Sequence, residues 1–207
     1  MADKKEYRFE VGVSNASRND MGTVTGKYGS FSGETFTAEV CEAGIICTAN
    51  GTLPLEGYEA FGKKNGNSHY MVKATGGLVD GYTGDFTGLY ACNNYAGNKA
   101  TDGVNVFNAY GRSLGLSVPA DERADFTAIY VGDKHNFGAS NFTVAPTDLK
   151  STPYATISNG LFTATATKPT DGSVYAEIRD ISGRYTEGCY DAGMKITLLF
   201  KRSAVTA

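Results

Sequence analysis

The sequence predicts an all-β protein, an antiparallel β-sandwich or barrel-like fold with glycine-rich loops and little helix. No window of a dozen residues repeats apolar positions at helical spacing without an interrupting glycine. Alternation with period two is common instead, as in residues 194–202, where Ile196, Leu198 and Phe200 share one face. Turn-forming residues recur at intervals of roughly 8–12 residues, which is typical of a sandwich or barrel.

Candidate strands in the N-terminal half are short runs of β-branched, aromatic and small residues bounded by turn formers. They are residues 7–13, 35–40, 44–49, 69–74, 85–92 and 104–111. Residues 22–28, GTVTGKY, match part of the spacing of a phosphate-binding loop. That loop is one residue short, and Tyr28 stands where a magnesium-binding hydroxyl belongs. We therefore predict a hairpin turn there.

The C-terminal half has cleaner alternation between apolar and polar positions. Its candidate strands are residues 124–131, 141–145, 154–157, 161–166, 173–181 and 194–202. The last two strands are expected to form an antiparallel pair, since each alternates apolar and polar side chains. Residues 182–193 between them are rich in glycine and are expected to form a long loop, or two turns around a short strand.

Asp133, Lys134 and His135 place an acid, a base and one of only two histidines side by side. They lie in residues 132–140, whose Gly, Asp, Asn and Ser favour turns. A catalytic histidine needs a nucleophile and an orienting partner within hydrogen-bond reach, and adjacent residues on a turn usually point apart. We therefore expect His135 to lie on an exposed connection without a catalytic role.

The default domain organisation is one β-rich domain over residues 1–207. Residues 50–103 are rich in glycine and asparagine, whereas later residues give clearer strands. A subdivision near residues 115–120 is therefore the alternative, with a loop-rich N-terminal part, 1–115, and a C-terminal β part, 120–207.

The charge pattern argues against nucleic-acid and membrane partners. The formal net charge is −3, and the basic clusters are isolated pairs such as Lys63–Lys64, whereas nucleic-acid binding usually needs a positive surface. The charged start of the sequence lacks the apolar stretch of a signal peptide, and no run approaches the roughly 18–20 apolar residues of a membrane span. We expect synthesis in a cytoplasm, without a membrane anchor.

The four cysteines are at positions 41, 47, 92 and 189. Cys47 and Cys92 lie in apolar, strand-like surroundings, where a free thiol packs as a small hydrophobe. We expect buried free thiols, with disulfides as the alternative. No C-x-x-C is present, so a structural zinc site is not predicted.

Most motifs for common enzymatic chemistries are absent from the sequence. It contains no G-x-G-x-x-G at a strand-to-helix turn and no EF-hand spacing, although Asp80, Asp85 and Asp102 lie in glycine-rich segments. The letters of G-x-S-x-G occur as GRSLG (111–115), in a segment expected to cross between strands and not at the strand-to-helix turn of a nucleophile elbow. We therefore predict no enzyme activity, no cofactor and no metal site.

Three stretches of the sequence carry a resemblance to a known family. They are FNAYGRSLGLSVPADERADFTAIYVGDKHNFGASNFTVAP (107–146), YATISNGLFTATATKPTDGSVYAEI (154–178) and RYTEGCYDAGMKITLLF (184–200). Together with residues 51–74, they resemble small β-rich proteins encoded beside the major capsid gene of tailed bacteriophages. The resemblance covers roughly three-quarters of the chain.

The resemblance implies a non-enzymatic virion structural protein, a head decoration protein that docks on the capsid surface and stabilises the assembled shell. Its implied partner is the major capsid protein lattice, with a homo-oligomer also possible. Exposure and charge single out Arg112, Asp121, Glu122 and Arg123 as candidate partner-binding residues.

Three alternative functions stay open at this stage. A tail or neck component of the same particle is the nearest. A carbohydrate-binding module would use Tyr90, Tyr95 and Tyr110 as stacking surfaces. A hydrolase would need a site around His69 or His135.

Overall fold

A computed structural model of the chain describes residues 9–10, 23–53, 68–77, 85–92, 117–186 and 189–204. The predicted all-β class is confirmed, since the described residues form strands and their connections, with one short 3-10 helix at Ala139–Asn141. The strands in chain order are β1 (Phe9–Glu10), β2 (Thr23–Ser32), β3 (Thr35–Ala38), β4 (Cys41–Glu42), β5 (Ile46–Thr52), β6 (Ser68–Lys73), β7 (Phe86–Cys92), β8 (Ser117–Val118), β9 (Arg123–Tyr130), β10 (Lys134–Gly138), β11 (Phe142–Val144), β12 (Tyr154–Ser158), β13 (Leu161–Thr165), β14 (Val174–Thr186) and β15 (Cys189–Arg202). The predicted strand 104–111 lies outside the described residues.

One sheet closes into a five-stranded barrel. Its order is β3-β2-β6-β5-β7-β9, and β2 pairs with β9 as well as with β6, which joins the two ends of the row. The β2–β6 pair is parallel and the other barrel pairs are antiparallel. Strand β3 extends β2 as a hairpin outside the closed ring.

The hairpin turn predicted at residues 22–28 is wrong, because these residues lie largely within strand β2, and the turn comes later at Gly33 and Glu34. Gly26 explains the misassignment. A Cβ at Gly26 would lie 2.4 Å from the backbone oxygen of His69 on β6, so this position needs glycine inside a strand. Glycine in a strand marks a close backbone approach as well as a turn.

The second sheet is a curled half-barrel in the order β1-β10-β15-β14-β12-β13-β11. The β14–β15 pair is antiparallel, as predicted, and its register places Ile178 opposite Leu198. The loop predicted at residues 182–193 is wrong, since β14 continues to Thr186 and β15 begins at Cys189. Pairing between the two backbones continues through the glycines, because ladder hydrogen bonds do not depend on side chains.

Two apolar clusters follow from side-chain alternation on the barrel strands. Each of the five barrel strands contributes to one cluster, which therefore fills the barrel interior; its buried members are Tyr28, Cys41, Ile45, Cys47, Met71, Tyr90, Cys92, Val118, Ala124, Phe126 and Ala128. Residues of opposite parity, including Ile46, Leu89 and Ile129, join a second cluster with Phe137, Phe162 and Phe200 of the curled sheet. Strand β7 is thus buried on both faces, whereas β5 and β9 are buried on both faces only near Ile46 and Ile129.

Backbone hydrogen bonds join the two sheets where loops of one enter the other. The two-residue turn between β12 and β13 has positive φ at Asn159 and Gly160, as a type I′ hairpin turn requires. Gly160 N–H donates to the carbonyl of Ala74, and its own carbonyl accepts from Ile46 N–H, each at 2.8 Å. Strands from both sides of residues 115–120 share the barrel sheet, and the single-domain organisation stays a prediction.

Candidate functional site

The described candidate docking residues lie on the turn that leads into β9. Asp121 and Glu122 are exposed and Arg123 is half-buried, while Arg112 lies outside the described residues. Glu122 N–H donates to the Pro119 carbonyl at 3.2 Å, which closes the turn. Asp121 has a φ of 69°, a left-handed conformation that aspartate tolerates better than most residues.

Lys27 on β2 completes this charged surface, which we name the charged rim and define as Lys27, Asp121, Glu122 and Arg123. The Lys27 Nζ lies 2.8 Å from Asp121 Oδ1, and in the β2–β9 ladder Lys27 stands opposite Arg123. The Lys27 side chain is largely covered whereas the Asp121 side chain is 77% exposed. Sequence patterns could not find Lys27, because 94 residues separate it from Asp121.

Asp125 lies two residues further along β9, opposite Thr25 on β2. The Thr25 hydroxyl donates to Asp125 Oδ1 at 3.0 Å. Partial burial raises the pKa of the Asp125 carboxyl above its ordinary value of 3.8, and the hydrogen bond from Thr25 opposes that rise. Ionisation of the Asp125 carboxyl is therefore less favourable here than in water.

His135 is not on an exposed turn, and that prediction is wrong. The turn is shorter than expected and sits at Val131 and Gly132, so residues 134–138 form strand β10 beside β15. His135 and Asp133 are each 1% exposed. His135 lies edge-on to the Phe200 ring with a centroid separation of 5.9 Å. The sequence does contain a signal for this strand, because His135 and Phe137 are two positions apart and lie on the same buried face. The turn-forming residues around them favour a loop instead.

Asp133 closes the β9–β10 connection with hydrogen bonds, and His135 lies beside it. Asp133 Oδ2 accepts a hydrogen bond from Tyr130 N–H at 2.9 Å, and the Asp133 carbonyl accepts another from Phe200 N–H. His135 Nε2 lies 3.7 Å from Asp133 Oδ2, beyond hydrogen-bond distance. Both side chains are buried, and His69 lies on β6 in the other sheet.

The proposed aromatic platform for carbohydrate does not assemble among the described residues. Tyr90 is 8% exposed and fills the barrel interior, while Tyr95 and Tyr110 lie outside the described residues. A different aromatic cluster is more accessible: Phe31 and Phe36 face each other across the β2–β3 hairpin, and each packs against Tyr70 on β6. Phe31 is 36% exposed.

The expected burial of the thiols is confirmed for Cys41, Cys47 and Cys92, which are free and lie in the barrel interior. Across the described ranges, no three or more His, Cys, Asp or Glu side chains are grouped so that they could hold a metal ion. Within those ranges, no helix has the length and apolar character needed to cross a bilayer.

No protein-family model matches the chain, and no curated protein or solved structure is significantly similar to it.

Proposed function

We propose that this chain is a non-enzymatic structural protein of a tailed-phage virion, a decoration protein that docks on the assembled head and stabilises it. The observation that carries the proposal is the resemblance of residues 107–146, 154–178 and 184–200 to proteins encoded beside the major capsid gene. These stretches include the turn of the charged rim and much of the curled sheet.

The placement of the polar groups supports a docking role over turnover. The most obvious acid–base pair, Asp133 and His135, is buried within the β9–β10 connection. Asp121 and Glu122 of the charged rim are instead exposed, on a turn closed by its own backbone hydrogen bond. A closed turn holds its side chains in place before binding, which lowers the entropy that docking must overcome.

Decoration would stabilise the shell by mass action. A protein that binds only the assembled lattice lowers the free energy of that lattice, and the effect is repeated at every bound copy. Modest contacts per copy are therefore sufficient. Asp121 is already paired with Lys27, so docking would either extend this pair into a network with capsid charges or exchange one partner for another.

The experiment is co-sedimentation of the purified chain with heads assembled from the major capsid protein of the same genome. We expect saturable binding to heads, little binding to unassembled capsid protein, and a higher temperature of head disruption. Absence of binding to heads would overturn the decoration role, and binding to purified tails instead would favour the tail or neck alternative. Binding on a glycan array would favour the carbohydrate alternative.

The docking surface is tested with a charge-neutralised variant, Arg112→Gln, Asp121→Asn, Glu122→Gln and Arg123→Gln. The matched control removes two acids and two bases elsewhere on the exposed surface, through Glu34→Gln, Asp180→Asn, Lys134→Gln and Lys150→Gln. We expect at least a tenfold loss of head affinity in the first variant only, because charge pairs at an interface set specificity and association rate. Equal affinity of the two variants would exclude Arg112, Asp121, Glu122 and Arg123 as the docking surface.

A further inference from the structure

Two buried thiols meet at one end of the barrel. The Cys41 Sγ lies 2.8 Å from the Cys92 Sγ, and the side chains are 1% and 0% exposed. Cys92 is the last residue of β7, and Cys41 begins β4, which pairs with β8 through Cys41 and Val118. The two residues thus join separate elements, 51 positions apart in sequence.

The backbone around this thiol pair is fixed on both sides. Cys92 N–H donates to the Ile45 carbonyl at 3.0 Å, and Gly44 N–H donates to the Cys92 carbonyl at 2.8 Å. The turn that follows β4 is therefore bonded to the end of β7. A disulfide needs a sulfur separation of about 2.05 Å, so a relative movement of roughly 0.8 Å would bring the two sulfurs to bonding distance.

Cys47 supplies an internal comparison in the same cluster. Its thiol is also fully buried in the barrel interior, but its Sγ makes its contact with the Ile45 carbonyl, at 3.8 Å. Three cysteines therefore share one apolar environment while a single pair of sulfurs is in contact. Burial does not distinguish the three cysteines, whereas the distances between their sulfur atoms do.

We propose that Cys41 and Cys92 are a latent disulfide site, which closes a covalent cross-link between β4 and β7 when the protein meets a small-molecule disulfide. One thiol of the pair, as its thiolate, attacks the reagent disulfide to give a mixed disulfide and release one reagent thiol. The second thiolate then attacks the protein sulfur of that mixed disulfide, which forms the Cys41–Cys92 bond and releases the second reagent thiol. The two protons lost by the cysteines end on the two released thiols.

The native environment makes this reaction slow until the barrel end opens. Burial raises the pKa of the Cys41 thiol well above its usual range, and the neighbouring Cys92 raises it further. Thiol–disulfide exchange proceeds through the thiolate, so the closed structure suppresses it. Cross-linking should therefore follow local opening and accelerate in mild denaturant.

The test incubates the full chain with excess oxidised glutathione at pH 8, with and without 1–2 M urea, and maps disulfides by mass spectrometry without reduction. Glu42 lies between Cys41 and Cys47, so cleavage after glutamate places these two cysteines on different peptides. We expect a Cys41–Cys92 linked peptide, with a mass two hydrogens below that of the reduced pair, appearing several-fold faster in urea.

The matched variants are Cys41→Ala, Cys92→Ala and, as control, Cys47→Ala. Oxidation should raise the melting temperature of the wild type and of the control by roughly 5–15 °C, the order given by cross-linking a loop of this length. The first two variants should show no such shift. A disulfide through Cys47 would overturn the proposal. So would full alkylation of Cys41 and Cys92 after treatment with oxidised glutathione in urea. Both outcomes can be observed with the wild-type protein.

Discussion

Asp125 is a carboxylic acid whose ionisation opposes folding. Its raised pKa means that the folded chain favours the neutral acid, so the carboxyl contributes most to stability below pH 3.8 and this contribution is lost as pH rises through the folded pKa. We expect Asp125→Asn to stabilise the protein at pH 7 by up to about 1 kcal/mol, a modest value because the site is partly solvated. The advantage should shrink towards zero near pH 3, as measured by thermal melts across pH.

Asp148 provides a control of opposite sign. Hydrogen bonds from the hydroxyl and backbone of Ser151, and from Lys150 N–H, hold the pKa of this exposed carboxyl below its ordinary value. Its stabilising contribution is therefore present at neutral pH and lost on acidification. We expect Asp148→Asn to lower the melting temperature at pH 7. A shift of the same sign in both variants would contradict this assignment.

Prediction from sequence succeeded for residues whose environment is local and failed for those whose environment is not. The burial of Cys47 and Cys92 followed from their apolar neighbours in sequence. His135 was misplaced because its surroundings in residues 132–140 are turn formers, whereas β15 supplies the partner that makes residues 134–138 a strand. Lys27 was missed on the charged rim because no local pattern connects it with Asp121.

The contact of the loop after β6 with the start of β14 depends on a single glycine. A Cβ at Gly77 would lie 2.0 Å from the carbonyl oxygen of Val174, and Val174 N–H donates to the Gly77 carbonyl at 2.7 Å. Because the obstruction is backbone, it cannot be relieved by a rotamer change. We expect Gly77→Ala to destabilise the protein by about 2–4 kcal/mol, measured by urea denaturation.

The neighbouring glycine gives a control within the same loop. Gly76 has nothing within 4 Å of the position where its Cβ would stand. Gly76→Ala should therefore change the free energy of unfolding by no more than about 0.5 kcal/mol. Similar losses of unfolding free energy in the two variants would contradict this explanation. They would indicate that the backbone conformation of the loop, and not the contact with β14, makes alanine unfavourable.

Among the secondary-structure elements, alternation of apolar and polar residues predicts the regular strands correctly. A high glycine content leads to wrong predictions of turns and loops in β2 and β14. Strand β15 from Lys195 to Phe200 alternates as expected, with Ile196, Leu198 and Phe200 fully buried. The prediction of a turn in β2 is wrong because Gly26 is needed for the close approach of the β6 backbone. That contact involves residues more than 40 positions away, so the local sequence does not reveal it. The composition of residues 182–186 does not predict the extension of β14 to Thr186, because hydrogen bonds to β15 hold this segment in a strand.

At the scale of the whole molecule, the second apolar cluster joins the barrel to the curled sheet. Strands β5, β7 and β9 place side chains both in the barrel interior and in this shared cluster, so separating the two sheets would expose the outward-facing apolar side chains of these strands. The period-two pattern predicted that strands would be buried, but not that one strand would serve two cores. That arrangement depends on barrel closure, which no local pattern encodes.

The shared cluster predicts that the two sheets unfold together. Phe137 on β10 is fully buried, and its ring contacts those of Phe162 and Phe200 within the cluster that also contains Leu89 of the barrel. Phe137→Ala should cost about 3–5 kcal/mol, the usual range for a buried phenylalanine. Because the sheets are coupled, hydrogen exchange in mild urea should accelerate to a similar extent in peptides from β7 and from β15.

The control for this prediction is Val144→Ala on the edge strand β11, where the side chain is 52% exposed and its removal should leave exchange in both sheets nearly unchanged. Faster exchange confined to β15 peptides in Phe137→Ala would show that the barrel is stable without the curled sheet. The shared cluster would then be an interface between two independent units, because a continuous core transmits the loss of one large side chain to every strand that packs on it.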